Sequence, residues 1–168
     1  SNDVLDLIAR VFLAPGRSSI FSQHAFAVYP LASLSAGAEL IAVPAKDFGH
    51  DLEAMKNAIR PDTRLIWIAN PNNPTGTFVP YPELRGFLQA VPADVVVVLD
   101  EAYNEYILES ERTDTTAWLA EFPNLVITRT FSKIYGLAGL RIGYALASAE
   151  IADLMNRVRQ PFNCNNLA

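Results

Sequence analysis

The apolar residues of this chain recur with two alternating periods. Leu5, Ile8, Val11 and Phe12 form a stripe at helical spacing, and "SSIFSQ" reads as a short strand before the aromatic turn "HAFAVYP". A second helix is predicted from near Tyr29 to Ala36 and Gly37, followed by the strand "AELIAVP". Asp51 suits the N-cap of a helix through Ile59, and "TRLIWIAN" is an apolar run ending in the turn cluster "NPNNPTG". Another helix, near Pro82 to Leu88, leads into "ADVVVVLDEAY", whose unbroken β-branched run fits a strand covered on both faces. The strands "NLVITRT" and "RIGYALA" and a last helix from Ala149 towards Arg159 complete the pattern. Strands alternating with helices predict an α/β fold, a largely parallel, doubly wound sheet between two helical layers.

Composition narrows the function. With 168 residues, 51% hydrophobic and 18% charged, the chain is long enough for one substantial core. A net charge of -5 leaves no basic stripe for a phosphate backbone, so nucleic acid is not an expected partner. The apolar run Val95 to Leu99 is far too short to cross a bilayer, and no signal-like start precedes it, so a soluble, cytoplasmic protein is expected. The single cysteine, Cys164, has no His or Cys at metal-ligand spacing and reads as a bystander thiol; no metal is expected.

In doubly wound sheets ligands bind beyond the carboxyl ends of the strands, where three polar clusters fall. "NPNNPTG" is either a tight turn or a binding loop. In "DEAY", Asp100 follows five apolar residues and is left nearly buried, so it needs a cationic or hydrogen-bonding partner unless it merely caps the next element. In "RTFSK", Lys133 precedes Arg141 by eight residues; the bland alternative is a pair of solvated cations. A nucleophilic lysine, a carboxylate able to face a protonated ring nitrogen, and an arginine with hydroxyls for a phosphate form the set that pyridoxal phosphate requires.

"NPNNPTGT", "DEAYNEY" and "RTFSKIYGLAGLRIGY", in this order and spacing, resemble the fold-type-I pyridoxal-phosphate aminotransferases, and within them the histidinol-phosphate aminotransferases. The resemblance covers essentially the whole chain. It implies that Lys133 holds the cofactor covalently and then shuttles a proton, and that Asp100 pairs with the ring nitrogen. Tyr103 and Asn73 are implied to hydrogen-bond the ring's phenolic oxygen. Arg141, Thr130 and Ser132 match the phosphate ligands, with Ser1 and Asn2 at a helix start facing the same phosphate. Phe26 falls where the family stacks an aromatic ring on the cofactor, although a core role fits its pattern equally. His24 and His50 belong to no motif and are expected to be non-catalytic. Tyr135, Gly136, Gly139 and Gly143 are read as backbone geometry around the lysine loop.

The resemblance further implies an amino donor and a 2-oxo acid as small-molecule partners, and a homodimer. Residues 1–159 are expected to form the cofactor-binding large domain, cut short at the N-terminus, and 160–168 to start a connection to a C-terminal domain. The substrate-carboxylate arginine and a tyrosine borrowed from the partner subunit lie outside the chain, so the fragment is expected to be weakly active at best. Histidinol phosphate and 2-oxoglutarate are the expected substrates. An aromatic-amino-acid aminotransferase, a threonine-phosphate decarboxylase, or a non-catalytic α/β binding module would share the core pattern.

Overall fold

The computed structural model describes residues 1–168 and places six strands in one sheet, ordered β2-β1-β3-β4-β5-β6. The strands are β1 (Ser18–Ser22), β2 (Glu39–Val43), β3 (Thr63–Ala69), β4 (Val96–Asp100), β5 (Leu125–Thr130) and β6 (Gly143–Ala147). All neighbouring pairs are parallel except β5 and β6, which run antiparallel in the register Arg129 to Tyr144 and Thr130 to Gly143. The expected three-layer, mostly parallel architecture is thus present, with one reversed strand at an edge.

Helices α1 (Asn2–Phe12), α2 (Val28–Ser35), α3 (Leu52–Asn57), α4 (Tyr81–Ala90) and α5 (Ala149–Val158) cover both faces. Period-2 alternation along the buried strands divides the core. Trp67, Val96, Val98 and Val126 face α1, α2 and α5, packing with Leu5, Ile8, Tyr29 and Ile151. Ile66, Ile68, Val97, Leu99 and Ile127 face the other way, against Met55, Leu84, Phe87 and Trp118. The two clusters are nearly equal, 17 and 18 buried residues, which is why β3 and β4 read as unbroken apolar runs. Asp51 caps α3 as expected, its carboxylate accepting from the Ala54 N–H at 2.9 Å.

Between β4 and β5 the pattern predicted no regular element. The chain there forms short 3₁₀ turns at Asn104–Tyr106, Glu109–Glu111 and Thr115–Ala120, the last carrying Trp118 into the core. No helix is long and apolar enough to cross a membrane.

Ile68 is fully buried between β3 and the α3/α4 layer. Ile68→Ala should lower stability by about 2–5 kcal/mol through lost burial and the cavity left behind. Leu31→Ala, at a side chain 63% exposed on α2, should change it by less than about 0.5 kcal/mol. Urea unfolding of the two variants checks the layer assignment; comparable losses would contradict it.

Candidate active site

The carboxyl ends of β3, β4 and β5, with the start of α1 and the turn before α2, enclose a cavity of about 210 Å³. Every one of the ten residues expected from the sequence lines it: Ser1, Asn2, Phe26, Asn73, Asp100, Tyr103, Thr130, Ser132, Lys133 and Arg141. The volume lies below the roughly 300–1,000 Å³ of drug-sized pockets and suits one small ring with short substituents.

Asp100 forms the floor. It ends a strand buried along its whole length and is itself 4% exposed. The Tyr29 hydroxyl donates to its Oδ2 at 2.7 Å and the Thr128 hydroxyl to its Oδ1 at 2.9 Å. No cationic side chain lies within salt-bridge distance. Burial pushes the carboxyl above its ordinary value, and the two hydroxyl bonds oppose that only in part. The partners demanded by its burial are therefore supplied mainly as neutral donors, with the Ala102 N–H and the Ser1 ammonium adding to them, and no side-chain cation pairs with it across the cavity.

Tyr29 and Thr128 were not among the sequence candidates. Tyr29 is fully buried, stacked on Trp67 at 5.1 Å between ring centroids, and Phe26 meets it edge-on at 5.7 Å. The three-residue spacing of Phe26 and Tyr29 at a helix start places both on one side, and Thr128 and Thr130 share a strand face by alternation. Either spacing could have pointed to the pair.

"NPNNPTG" divides its work between turn and site. Asn70 closes the loop, its Nδ2 donating to the Val79 carbonyl at 2.9 Å while its Oδ1 accepts from the Val79 N–H at 2.8 Å. Asn72 donates to the His24 carbonyl and to Thr75 Oγ1, each at 2.8 Å. Only Asn73 turns to the cavity, where its Nδ2 donates to the Tyr103 hydroxyl at 3.3 Å.

Beyond β5, the Ser132 N–H donates to Thr130 Oγ1 at 3.1 Å and the Gly136 N–H to the Lys133 carbonyl at 2.9 Å, folding the lysine loop back over the cavity. Lys133 Nζ lies 5.2 Å from the centroid of the Tyr103 ring, within cation–π range, and has no acidic partner. Arg141 adopts a left-handed conformation, φ 53° and ψ 42°, which is strained for a side-chain-bearing residue and places the guanidinium at the mouth. One of its nitrogens is committed to the Ala138 carbonyl at 3.0 Å.

The glycine expectations divide. Gly136 takes a positive φ of 66°, and a Cβ on Gly143 would press on the Arg129 carbonyl and the Ser1 Cα, each 2.9 Å away. Gly139 has open space around it and no positive φ, so the loop geometry does not require glycine there. Neither His24 nor His50 lines the cavity; His50 Nε2 bonds the Ala69 carbonyl at 2.9 Å.

A mostly parallel sheet thus carries a lysine, a buried carboxylate and an arginine around one cavity at its carboxyl end. The family model "Aminotransferase class I and II" matches residues 1–168, and the chain belongs to that family. Among curated relatives it is 77% identical over 168 residues to histidinol-phosphate aminotransferase 1 of Dechloromonas aromatica, covering 100% of this chain and 46% of that protein. It is 63% identical to the enzyme of the same name from Thiobacillus denitrificans, over 98% of this chain and 43% of that protein. The crystal structure of histidinol-phosphate aminotransferase from Sinorhizobium meliloti in complex with pyridoxal-5'-phosphate superposes with a TM-score of 0.90 at 33% identity, covering 96% of this chain and 44% of that one. The chain spans a little under half the length of these relatives.

Asp100 also makes the cofactor-free protein pay a pH-dependent cost. Its folded-state affinity for a proton exceeds that of the unfolded chain, so stability falls as pH rises from the ordinary Asp range through the raised folded value and stays lower above it. Asp100→Asn should therefore raise the cofactor-free unfolding midpoint at neutral pH, with the gain vanishing below the ordinary Asp range. Thermal unfolding across pH measures this; a variant less stable at neutral pH than at acid pH, relative to the parent, would contradict it.

Proposed function

We propose that this chain forms the cofactor-binding part, residues 1–159, of a pyridoxal-phosphate aminotransferase that moves an amino group between histidinol phosphate and 2-oxoglutarate. The observation that carries the reading is Asp100, a buried carboxylate held by two hydroxyls and in salt-bridge contact with no side-chain cation, at the floor of a cavity that also presents Lys133. A ligand with a cationic ring nitrogen and a phosphate fits such a floor and the hydroxyl-and-arginine rim opposite it. The names of the relatives at 77% and 63% identity support histidinol phosphate as the amino donor.

Pyridoxal phosphate, when bound, supplies a protonated ring that withdraws electrons from the substrate's α-carbon. Asp100 holds that ring nitrogen in its protonated form by its negative charge, and Tyr29 and Thr128 keep the carboxylate oriented towards it. Asn73 and Tyr103, already joined by a hydrogen bond, present a donor pair to the ring oxygen. Arg141, Thr130, Ser132 and the first N–H groups of α1 gather the phosphate, the arginine by charge and the others by single hydrogen bonds. Phe26, in the cavity wall, would cover one face of the ring. Lys133 Nζ would hold the cofactor, and its amine would take and return the substrate proton. In this reading the complete protein works as a cytoplasmic homodimer, on family resemblance alone.

Of the three lysines, Lys56 is paired with Glu53 at 2.6 Å and Lys46 sits in a hairpin turn; only Lys133 lines the cavity. Borohydride reduction in the presence of pyridoxal phosphate, followed by peptide mapping, should place the label on Lys133. A label on Lys46 or Lys56 would refute the assignment. In the complete protein, histidinol phosphate should be a far better donor to 2-oxoglutarate than phenylalanine; a preference for phenylalanine would overturn the substrate while leaving the family intact.

A further inference from the structure

The cluster "DEAY" contains a second buried carboxylate that the reading above leaves unused. Glu101 is 2% exposed, less than Asp100, and points to the opposite face of the sheet. Arg129 donates to its Oε2 through Nε at 2.8 Å and through Nη2 at 2.7 Å. Thr115, at the start of the last 3₁₀ turn before β5, donates to its Oε1 at 2.5 Å. Both carboxylate oxygens are thus consumed, one by a strand neighbour and one by the connection that joins the strands.

A buried ion pair of this kind seldom adds net stability over an apolar replacement of similar volume, because removing two charges from water offsets their attraction. What it does fix is geometry. Glu101 follows Asp100 directly, and Arg129 lies between Thr128, which holds Asp100, and Thr130, which lines the cavity. The Glu101 N–H also donates to the Thr128 carbonyl at 2.9 Å, and the Asn70 N–H to the Asp100 carbonyl at 3.0 Å. The tie therefore sits directly behind the site, across the two strand tips from which its floor and its lysine loop emerge.

We propose that Glu101, Arg129 and Thr115 are positioning residues: their tie fixes the tip of β5 against that of β4, and so sets the distance between Asp100 and the Thr130–Lys133 loop. As far as it concerns the cofactor, this rests on the reading in the preceding section. Without the tie, the strand ladder remains but its last residues are free to slide and fray, so the carboxylate and the lysine loop no longer meet one ring in a single geometry.

The test compares the complete protein with its Glu101→Gln, Thr115→Val and Glu101→Leu/Arg129→Met variants. In the cofactor-free protein, Glu101→Gln should speed hydrogen exchange at the Asn70 and Glu101 amides about tenfold while leaving the Val98 amide in mid-strand unchanged, as local opening requires. With pyridoxal phosphate added, the same variant should bind about tenfold more weakly, a fraction of the ~10²-fold that a misplacement of roughly 1 Å can cost, and the pH midpoint of the bound cofactor's visible absorbance should shift. Thr115→Val, close in shape to the parent, should do the same to a smaller extent and decides the matter if Glu101→Gln does not fold. The apolar double variant should recover thermal stability without recovering affinity. Unchanged exchange at the strand tips in Glu101→Gln and Thr115→Val, or an affinity restored together with stability in the double variant, would overturn the proposal. A parent protein that binds no pyridoxal phosphate would refute the cofactor reading instead, and the exchange measurement would still decide the tie.

Discussion

The site depends on one unfavourable placement: a carboxylate, Asp100, at the end of a strand with no exposed residue. The apolar run that makes β4 a central strand also delivers its last side chain into a nearly water-free position. An ionised group there without partners would cost several kcal/mol, far more than a hydroxyl bond returns. The fold meets that demand chiefly with the hydroxyls of Tyr29 and Thr128, from α2 and β5, helped by the Ala102 N–H and the Ser1 ammonium, so both elements must dock before the carboxylate can be held. What it does not supply is a side-chain cation in contact with the carboxylate.

Other features of the site follow from the same constraint. Tyr29 can reach Asp100 because Trp67 stacks flat against it, 4° from parallel, and the Trp67 indole N–H is in turn satisfied by Ser33 at 3.2 Å. On the reverse face, alternation forces the next residue, Glu101, into a second buried position, where it meets Arg129. The carboxyl end of the sheet thus carries two carboxylates back to back, one held mainly by neutral donors and open to a ligand, the other closed by a guanidinium. That contrast separates a group free to act on a ligand from one committed to the frame.

Much of this was legible in the sequence because each signal was redundant. The strands were marked by apolar runs and bounded by Pro, Asn and Gly, and the site residues by three motifs whose spacing places them at strand ends. The less legible parts have physical reasons. The stretch from Asn104 to Ala120 is neither periodic nor apolar enough to show a regular element, and its 3₁₀ turns are fixed by single contacts such as Thr115 with Glu101. Thr128 and Tyr29 sit inside elements where threonine and tyrosine are ordinary packing residues, so only the register between β4 and β5 reveals their bond to Asp100. Gly139 was overread, since proximity to a functional loop does not by itself impose a left-handed backbone.

Asp100 is then a counter-ion built in advance for a cationic group entering the cavity. Its carboxyl titration, followed by ¹³C NMR with and without pyridoxal phosphate, tests this most directly. A raised midpoint is expected in the cofactor-free protein, falling clearly when pyridoxal phosphate binds, as the ring nitrogen's charge adds a cationic partner. A midpoint that stays where it was, or rises further because the cofactor only excludes water, would contradict it.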